Sequence, residues 1–311
     1  MAGYAGSSSR AILWNDGAAQ QLSGEGSSQY NSVFVSGTDV YVAGYDTAST
    51  ASSYKYRDAM LWKNGTPQIL NKQAYVSSSH AYSVFVSGTD VYVAGYNDSE
   101  ATLWKNGTAQ TLNSTNSVAY SVYVSGANVY VAGNVGSSTS EYNFDNRATL
   151  WVNGVEQILS SNSSNANSVF VSGSDVYVAG VVYADGNFRA TLWKNGTAQT
   201  LNNGPSIAYS VFVSGNDVYV AGLTATSITL QGGSFGQSYT SAMLWKNGIE
   251  QQISTPMSEA RSVFVLGTDV YAGGFGQTNV GTSRFAKLWK NGTEYVIGDA
   301  VSYIHSVFVV P

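Results

Sequence analysis

Residues 32–44 read Ser-Val-Phe-Val-Ser-Gly-Thr-Asp-Val-Tyr-Val-Ala-Gly, and copies of this stretch recur along the whole chain. The copies begin at Ser83, Ser121, Ser168, Ser210, Ser262 and Ser306, the last one being incomplete. A second stretch, residues 59–70, reads Ala-Met-Leu-Trp-Lys-Asn-Gly-Thr-Pro-Gln-Ile-Leu and recurs around each of the seven tryptophans. The chain of 311 residues therefore consists of seven repeated units of about 44 residues each.

Each unit is predicted to contain four β-strands. In the first complete unit, strand A is Val33–Val35, strand B is Val40–Ala43, strand C is Ala59–Trp62 and strand D is Pro67–Leu70. An Asn-Gly pair between strands C and D is a strong hairpin signal, because both residues tolerate positive φ. A unit of this length with four strands is typical of a propeller blade. We therefore predict an all-β protein, a seven-bladed β-propeller of four-stranded antiparallel blades in a single domain.

The repeat also predicts the blade boundaries and how the ring of seven blades closes. The six complete blades are expected at residues 32–70, 83–112, 121–159, 168–201, 210–253 and 262–297. The closing blade is expected to combine residues 306–311 with residues 1–22, so that the two chain ends share one sheet. Joining those ends leaves no counterpart of Thr38-Asp39-Val40-Tyr41. We expect this blade to lack most of strand B, as a truncation or a misplaced start would leave it.

At these residues the chain resembles bacterial seven-bladed β-propellers over nearly its whole length. Strand B resembles that of kelch repeats, whose apolar run ends in two glycines. Here only Gly273-Gly274 keeps both glycines, and the other copies carry Ala-Gly. A tryptophan that closes strand C is similar to WD40 repeats, but the Trp-Asp and Gly-His signatures are absent. The resemblance implies the architecture and names no functional family, because propellers serve as enzymes, lectins and scaffolds.

Composition excludes several functions. Charged residues make up 11% of the chain, the formal net charge is −5, and no cluster of Lys and Arg predicts nucleic-acid binding. The absence of cysteine excludes disulfides and thiolate chemistry, and two isolated histidines predict neither a metal site nor a cofactor. No apolar run is long enough to span a membrane. The abundance of Ser, Thr, Asn and Tyr is typical of a secreted or cell-surface bacterial protein, although residues 1–20 show no signal peptide. We expect a monomer.

One position departs from the repeat, the residue that precedes the first serine of each unit. We call these seven side chains the mouth residues: Asn31, Tyr82, Tyr120, Asn167, Tyr209, Arg261 and His305. Their neighbours hardly vary, and inner strands converge on the central channel. The mouth residues are therefore predicted to surround one opening of the channel and to bind a ligand there. The set offers donors, acceptors and stacking faces, with Arg261 as a fixed positive charge. It favours a neutral or acidic saccharide, or a carboxylate-bearing peptide end.

Three functions compete. The first is a binding module without catalytic residues, whose variable loops and channel mouth hold a glycan or a peptide or protein partner. The second is a carbohydrate-active hydrolase or lyase that uses the acids near the B–C loops. Those acids do not follow the repeat: Asp46, Asp98, Glu100, Glu141, Asp145 and Asp185. The third is a structural or adhesive repeat protein. Variation at the mouth residues within otherwise constant strands favours the binding module.

Overall fold

The computed structural model describes twelve segments of the chain. They are residues 1–5, 10–15, 18–22, 28–47, 57–71, 78–114, 116–136, 146–231, 234–254, 257–277, 283–298 and 301–310. These segments form seven separate sheets, and each sheet contains four antiparallel strands in the order A, B, C, D. The predicted all-β, seven-bladed propeller is thus confirmed. No helix among the described residues is long and apolar enough to cross a membrane.

The strands are numbered in chain order, and consecutive strands form hairpins within each blade. Blade 1 contains β4 (Ser28–Ser36), β5 (Asp39–Thr47), β6 (Arg57–Lys63) and β7 (Thr66–Ile69). Blade 2 contains β8 (Ser79–Ser87), β9 (Asp90–Asn97), β10 (Glu100–Lys105) and β11 (Thr108–Asn113). Blade 3 contains β12 (Ser117–Ser125), β13 (Asn128–Val135), β14 (Arg147–Val152) and β15 (Val155–Ile158).

The remaining blades follow the same plan. Blade 4 contains β16 (Ser164–Ser172), β17 (Asp175–Ala184), β18 (Asn187–Lys194) and β19 (Thr197–Thr200). Blade 5 contains β20 (Ser206–Ser214), β21 (Asp217–Gln231), β22 (Ser234–Lys246) and β23 (Ile249–Gln252). Blade 6 contains β24 (Ser258–Leu266), β25 (Asp269–Gln277), β26 (Arg284–Lys290) and β27 (Thr293–Val296). The closing blade joins β28 (Ser302–Ser306) to β1 (Ala2–Ala5), β2 (Arg10–Asn15) and β3 (Ala18–Gln20).

The core of the molecule lies between neighbouring blades. All seven tryptophans of strand C are buried, and none is more than 3% exposed. Trp193 of blade 4, for example, packs in one cluster with Ala148 and Leu150 of blade 3. Strands A, B and C bury apolar residues on both faces, as strands that lie between two sheets must. Strand D is exposed in every complete blade, which matches its polar sequence.

Strand A begins at Ser28, four residues before the predicted start of blade 1 at Ser32. The serine at the start of each strand A accepts a hydrogen bond from an amide in strand C of the preceding blade. Ser79 Oγ, for example, accepts from the Ala59 amide at 2.8 Å. The same bond occurs at all seven blade boundaries. A buried amide without a partner is costly, so this serine contributes to holding adjacent blades together.

An acid recurs at the A–B turn, and its partners lie in the C–D hairpin of the same blade. Asp39 accepts hydrogen bonds from the Asn64 side chain at 2.7 Å and pairs with Lys63 at 2.7 Å. Both partners belong to the C–D hairpin. This contact recurs in blades 2, 4, 5 and 6, and in blade 3 Asn128 takes the place of the acid. The turn residues therefore connect the two hairpins of each complete blade.

Candidate functional site

Each mouth residue occupies a β-bulge in strand A. In blade 1 the register of β4 on β5 skips Asn31, so that Tyr30 pairs with Gly44 and Ser32 pairs with Ala43. The same one-residue shift occurs at the mouth residue of every other blade. A bulged residue has no partner in the ladder, which frees its side chain from the repeat. The mouth residues thus lie inside strand A, at its fourth position in the complete blades, whereas the sequence predicted a strand A that starts two residues after them.

The bulge explains the glycine that ends the Ala-Gly motif of strand B. A β-carbon at Gly44 would overlap the carbonyl oxygen of Gln29, and one at Gly95 would overlap that of His80. Both carbonyl groups lie two residues before a mouth residue. Only glycine permits this approach of the bulged strand A to strand B.

Next to the bulge lies a closed set of hydrogen bonds between blades, which we call the serine ring. Its members are Ser32, Ser83, Ser121, Ser168, Ser210, Ser262 and Ser306. Each serine hydroxyl accepts a hydrogen bond of 3.1–3.2 Å from the valine amide of the next blade, and the bond from Val33 to Ser306 closes the set. The constant Ser-Val pair of the repeat is therefore a requirement of blade closure.

Two residues further along strand A, seven aromatic side chains surround the channel axis. This aromatic collar consists of Phe34, Phe85, Tyr123, Phe170, Phe212, Phe264 and Phe308. Neighbouring ring centroids are 4.7–5.0 Å apart all the way round, including the pair across the closing blade. At about 3.3 Å per residue, the collar lies roughly 10 Å below the mouth residues. The seven blades thus form a closed ring, as predicted from the two chain ends sharing one blade.

The structure brings all seven mouth residues together around one recess of about 190 Å³, which Gln29 also lines. Tyr82 and Tyr120 meet edge to face at 5.2 Å, and the Asn167 amide donates to the Ala208 carbonyl at 2.9 Å. Tyr209 differs from the others because it is only 8% exposed and packs with Ile207 beneath Arg261. The recess therefore presents mainly the other six side chains.

His80, which the sequence did not indicate as a site residue, lies in β8 and contacts two of the mouth residues. It is buried, stacks on Tyr82 at 4.3 Å, and its Nε2 lies 2.7 Å from the Asn31 amide nitrogen. Since that amide donates, Nε2 accepts and the imidazole is neutral. Burial, together with the charge of Arg57, lowers the pKa of His80 to about 3. Burial and the charge of Arg261 likewise lower the pKa of His305 to about 3.

Arg261 does not give the recess the free positive charge that its sequence position suggests. Its guanidinium pairs with Glu259 at 2.6 Å and lies over the Tyr209 ring at 4.1 Å. Glu259 is 4% exposed and stands two residues earlier on the same strand, a spacing that offered a signal of the pair. With this pair neutralised and His305 uncharged at neutral pH, the recess carries little net charge. The preference for an acidic ligand expected from Arg261 accordingly loses its main support.

The unrepeated acids that lie in the described part of the chain do not form one cluster. Asp98 and Asp185 occupy tight B–C turns with positive φ, and Asp185 pairs with Arg189 at 2.9 Å. Glu141 and Asp145 lie outside the described residues. Among the described residues, no three His, Asp or Glu side chains are grouped as a metal site requires. Asp46 does stand directly opposite Asp58 on β6, a partner that sequence reasoning missed. Burial raises the pKa of both carboxyl groups.

Comparison with known proteins gives no family. No family model matches the chain, and no curated protein matches it. Among solved structures, it is similar to the tricorn protease at 11% identity and a TM-score of 0.43, over 95% of this chain and 33% of that one. TolB from Acinetobacter baumannii is 11% identical with a TM-score of 0.45, and the match covers 85% of this chain and 63% of TolB. The propeller domain of the Trilobed protease from Pyrococcus furiosus is 10% identical with a TM-score of 0.42, and the match covers 88% of this chain and 96% of that domain. Such distant likeness carries no information about activity.

Proposed function

We propose that the protein is a binding module whose recess holds the terminal unit of an uncharged glycan. The carrying observation is that the seven positions which depart from the repeat line one common recess of about 190 Å³. That volume is below the range of about 300–1,000 Å³ typical of drug-sized ligands, so it suits a single sugar residue or a similarly small group.

The chemistry of the lining supports a neutral, hydroxyl-rich ligand. Tyr82 and Tyr120 supply aromatic rings, while Asn31 and Asn167 supply amide groups that pair with hydroxyls. The ion pair between Arg261 and Glu259 leaves no strong preference for an anion. Glycan binding also agrees with the secreted or cell-surface location inferred from composition.

The proposal is tested by screening the protein on a glycan array and measuring each hit by calorimetry. We expect Tyr120→Ala to weaken binding at least about tenfold, because stacking and a hydroxyl contact are lost together. Tyr295→Ala is the matched control, since Tyr295 is 48% exposed on the outer strand of blade 6. Equal loss in both variants, or binding to peptides alone, would contradict the proposal.

A second candidate is acid–base hydrolysis at Asp46 and Asp58. Residues directly opposite on antiparallel strands have their β-carbons about 5 Å apart, and both carboxyl groups have a raised pKa, as a general acid requires. Hydrolysis of aryl glycosides that both Asp46→Asn and Asp58→Asn abolish would support this candidate. Turnover unchanged in both variants would exclude this pair.

A further inference from the structure

The aromatic collar keeps apolar surface open to the central channel. Each of its seven rings is partly exposed, whereas the valines on either side of Phe212, which are Val211 and Val213, are buried between blades 4 and 5. Strand A of each blade lies next to strand A of the neighbouring blades around the channel, so the side chains that face the axis reach solvent through the channel. The rings therefore retain surface for a ligand after the blades have packed together.

The rings of the collar stand with their planes along the channel axis. Neighbouring planes are inclined by 46–56°, close to the one seventh of a turn that separates neighbouring blades. Such angles arise when every plane is parallel to the axis about which the blades repeat. The centroid spacing is shorter than the width of a phenyl ring with its hydrogens, so the rings cannot lie side by side with their faces toward the axis. Each ring therefore turns a face toward its neighbour and an edge toward the axis.

The spacing of the rings also determines the width of the opening. Seven centroids that are 4.7–5.0 Å apart form a heptagon with a radius of about 5.6 Å. A carbon atom on the axis then lies about 4 Å from the inner edge of each ring, which is the contact distance between apolar groups. One straight carbon chain on the axis contacts all seven rings. A branched chain would bring carbon atoms closer to the rings than contact distance, so the opening fits a single unbranched chain.

The chemistry of the collar favours an uncharged aliphatic group. A cation binds over the face of an aromatic ring, and here the faces are turned toward neighbouring rings. A sugar that stacks on an aromatic ring needs the same faces. An anion would lose its hydration in a ring of side chains whose one polar group is the Tyr123 hydroxyl. An alkyl chain gives up no polar contact on entering the collar, and it removes apolar surface from water.

We propose that the aromatic collar binds one unbranched alkyl chain, which lies along the channel axis. Contact with seven ring edges supplies the affinity, and the width of the opening selects a straight chain over a branched one. The ligand is accordingly a compound with one free straight alkyl chain. This inference goes beyond the proposed function, because it depends on the collar alone and holds whether or not the recess binds a glycan.

The test compares 1-octanol with 2-ethyl-1-hexanol, two alcohols of the same composition that differ only in branching. The full chain, labelled with ¹³C in its phenylalanine rings, is titrated with each alcohol and followed by NMR. We expect saturable shifts of the collar rings with 1-octanol and an affinity at least about tenfold higher than for the branched isomer, because overpacking a close-fitting site is costly. Equal affinities, or no saturable shift with 1-octanol up to its solubility limit, would overturn the proposal.

A series of straight alcohols from 1-butanol to 1-octanol tests whether the chain itself is bound. Each methylene group that enters the collar should raise the affinity about fourfold, which is the usual gain for a buried methylene. The dissociation constants are measured by the same NMR titration. An affinity that does not rise between 1-butanol and 1-octanol would contradict an alkyl site in the collar.

Two matched variants locate the site. Phe212→Trp places a larger ring edge near the axis and should weaken 1-octanol binding at least about tenfold. Phe285→Trp is the control, since Phe285 is also partly exposed but lies in β26 of blade 6, and its affinity should stay within about twofold of the parent. Equal loss in both variants would overturn the assignment to the collar. If Phe212→Trp fails to fold, the two isomeric alcohols still decide the matter, because they are compared on the parent protein.

Tyr120→Ala distinguishes the collar from the recess. This variant should lose glycan binding if the proposed function is correct, and it should bind 1-octanol as the parent protein does. Loss of 1-octanol binding in Tyr120→Ala would place the alkyl chain in the recess and overturn the collar as its site. Binding of 1-octanol by a protein that binds no glycan would support the collar and contradict the proposed function alone.

Discussion

The serine ring and the mouth residues are adjacent along every strand A, yet they follow opposite rules. The serine is identical in all seven blades, and each copy accepts the same hydrogen bond from the next blade. The mouth residue before it is an amide, a phenol, a guanidinium or an imidazole. The difference lies in the ladder, because the serine pairs with strand B whereas the mouth residue is bulged out of the pairing. The serines are constant because the contacts between blades require them, whereas the mouth residues can vary because they take no part in the pairing of strands A and B.

The largest loss of stability is expected at the tryptophans, which, like the serine ring, are identical in all seven blades. Trp193 is fully buried between blades 3 and 4. Trp193→Ala should lower the free energy of unfolding by about 3–5 kcal/mol, as deletions of large buried aromatics do. Urea denaturation followed by circular dichroism measures the change. A loss below about 1 kcal/mol would mean that the blades do not rely on this contact.

Lowering the pH is expected to reduce the stability of the protein through His80, which contacts the mouth residues Asn31 and Tyr82. The folded protein holds the pKa of His80 at about 3, whereas the unfolded chain has the ordinary value near 6.5. As the pH falls, the unfolded state therefore takes up the proton first. The contribution of His80 to the free energy of unfolding is complete above pH 6.5 and decreases below it. The loss from His80 should be about 1.4 kcal/mol per pH unit, or roughly 2 kcal/mol between pH 6.5 and 5.

His80→Gln is the matched variant for this effect, because its amide can still accept from Asn31. Denaturation at pH 7 and pH 5 should give a smaller difference for the variant than for the parent protein. His305 is present in both and cancels from the comparison. Identical pH dependence in the two proteins would show that His80 does not titrate as its burial implies.

A smaller effect is expected in the serine ring. Ser168 Oγ accepts from the Val211 amide at 3.2 Å across the boundary between blades 4 and 5. Ser168→Ala leaves that amide without its partner and should cost about 1–2 kcal/mol of unfolding free energy. Hydrogen exchange at the Val211 amide provides a local measurement. Unaltered protection there would indicate that another acceptor replaces the hydroxyl.

The smallest effect on stability is expected at a mouth residue. Tyr120→Phe keeps the edge-to-face contact with Tyr82 and removes the hydroxyl, which accepts a 3.4 Å hydrogen bond from the Asn134 amide. That amide keeps its 2.7 Å hydrogen bond to Asn165. The unfolding free energy should change by less than about 0.5 kcal/mol, as for most substitutions outside the core. A loss as large as that of Ser168→Ala would remove the distinction between the two sets of positions.

The repeat in the sequence was sufficient to predict the blades, the hairpins and the identity of the mouth residues. Seven tryptophans and the recurring Asn-Gly turns carry this information directly. The bulge was not predicted, because it adds one residue to a pattern of period two and thereby changes which side chains face the channel. Asn31 and Phe34 would face opposite sides of a regular strand, yet both face the axis here. For the same reason the aromatic collar could not be distinguished from ordinary core residues.

The pairing of Arg261 was also missed, for a different reason. Glu259 occupies a position that carries glutamine, histidine, valine, asparagine, isoleucine or tyrosine in the other blades, so its acid did not stand out from the variation. Residues two positions apart in a β-strand lie on the same side of it, so the spacing permits this pair. An acid stands at this position in blade 6 alone, so the repeat gave no second example of the pair. Of the neutral and acidic ligands that the mouth residues were expected to favour, the ion pair weakens the argument for the acidic ones.

The recess takes one side chain from each blade, which has a consequence for the order of events in folding. The Gln29 amide lies 3.0 Å from His305 Nε2, although 276 positions separate the two residues in the chain. Contacts between distant positions form late, and domains dominated by them fold in about milliseconds to seconds. Each hairpin can form from local sequence, but the recess exists only after the last blade docks against the first. During refolding, the capacity to bind a ligand at the mouth residues should therefore recover after the β-sheet signal.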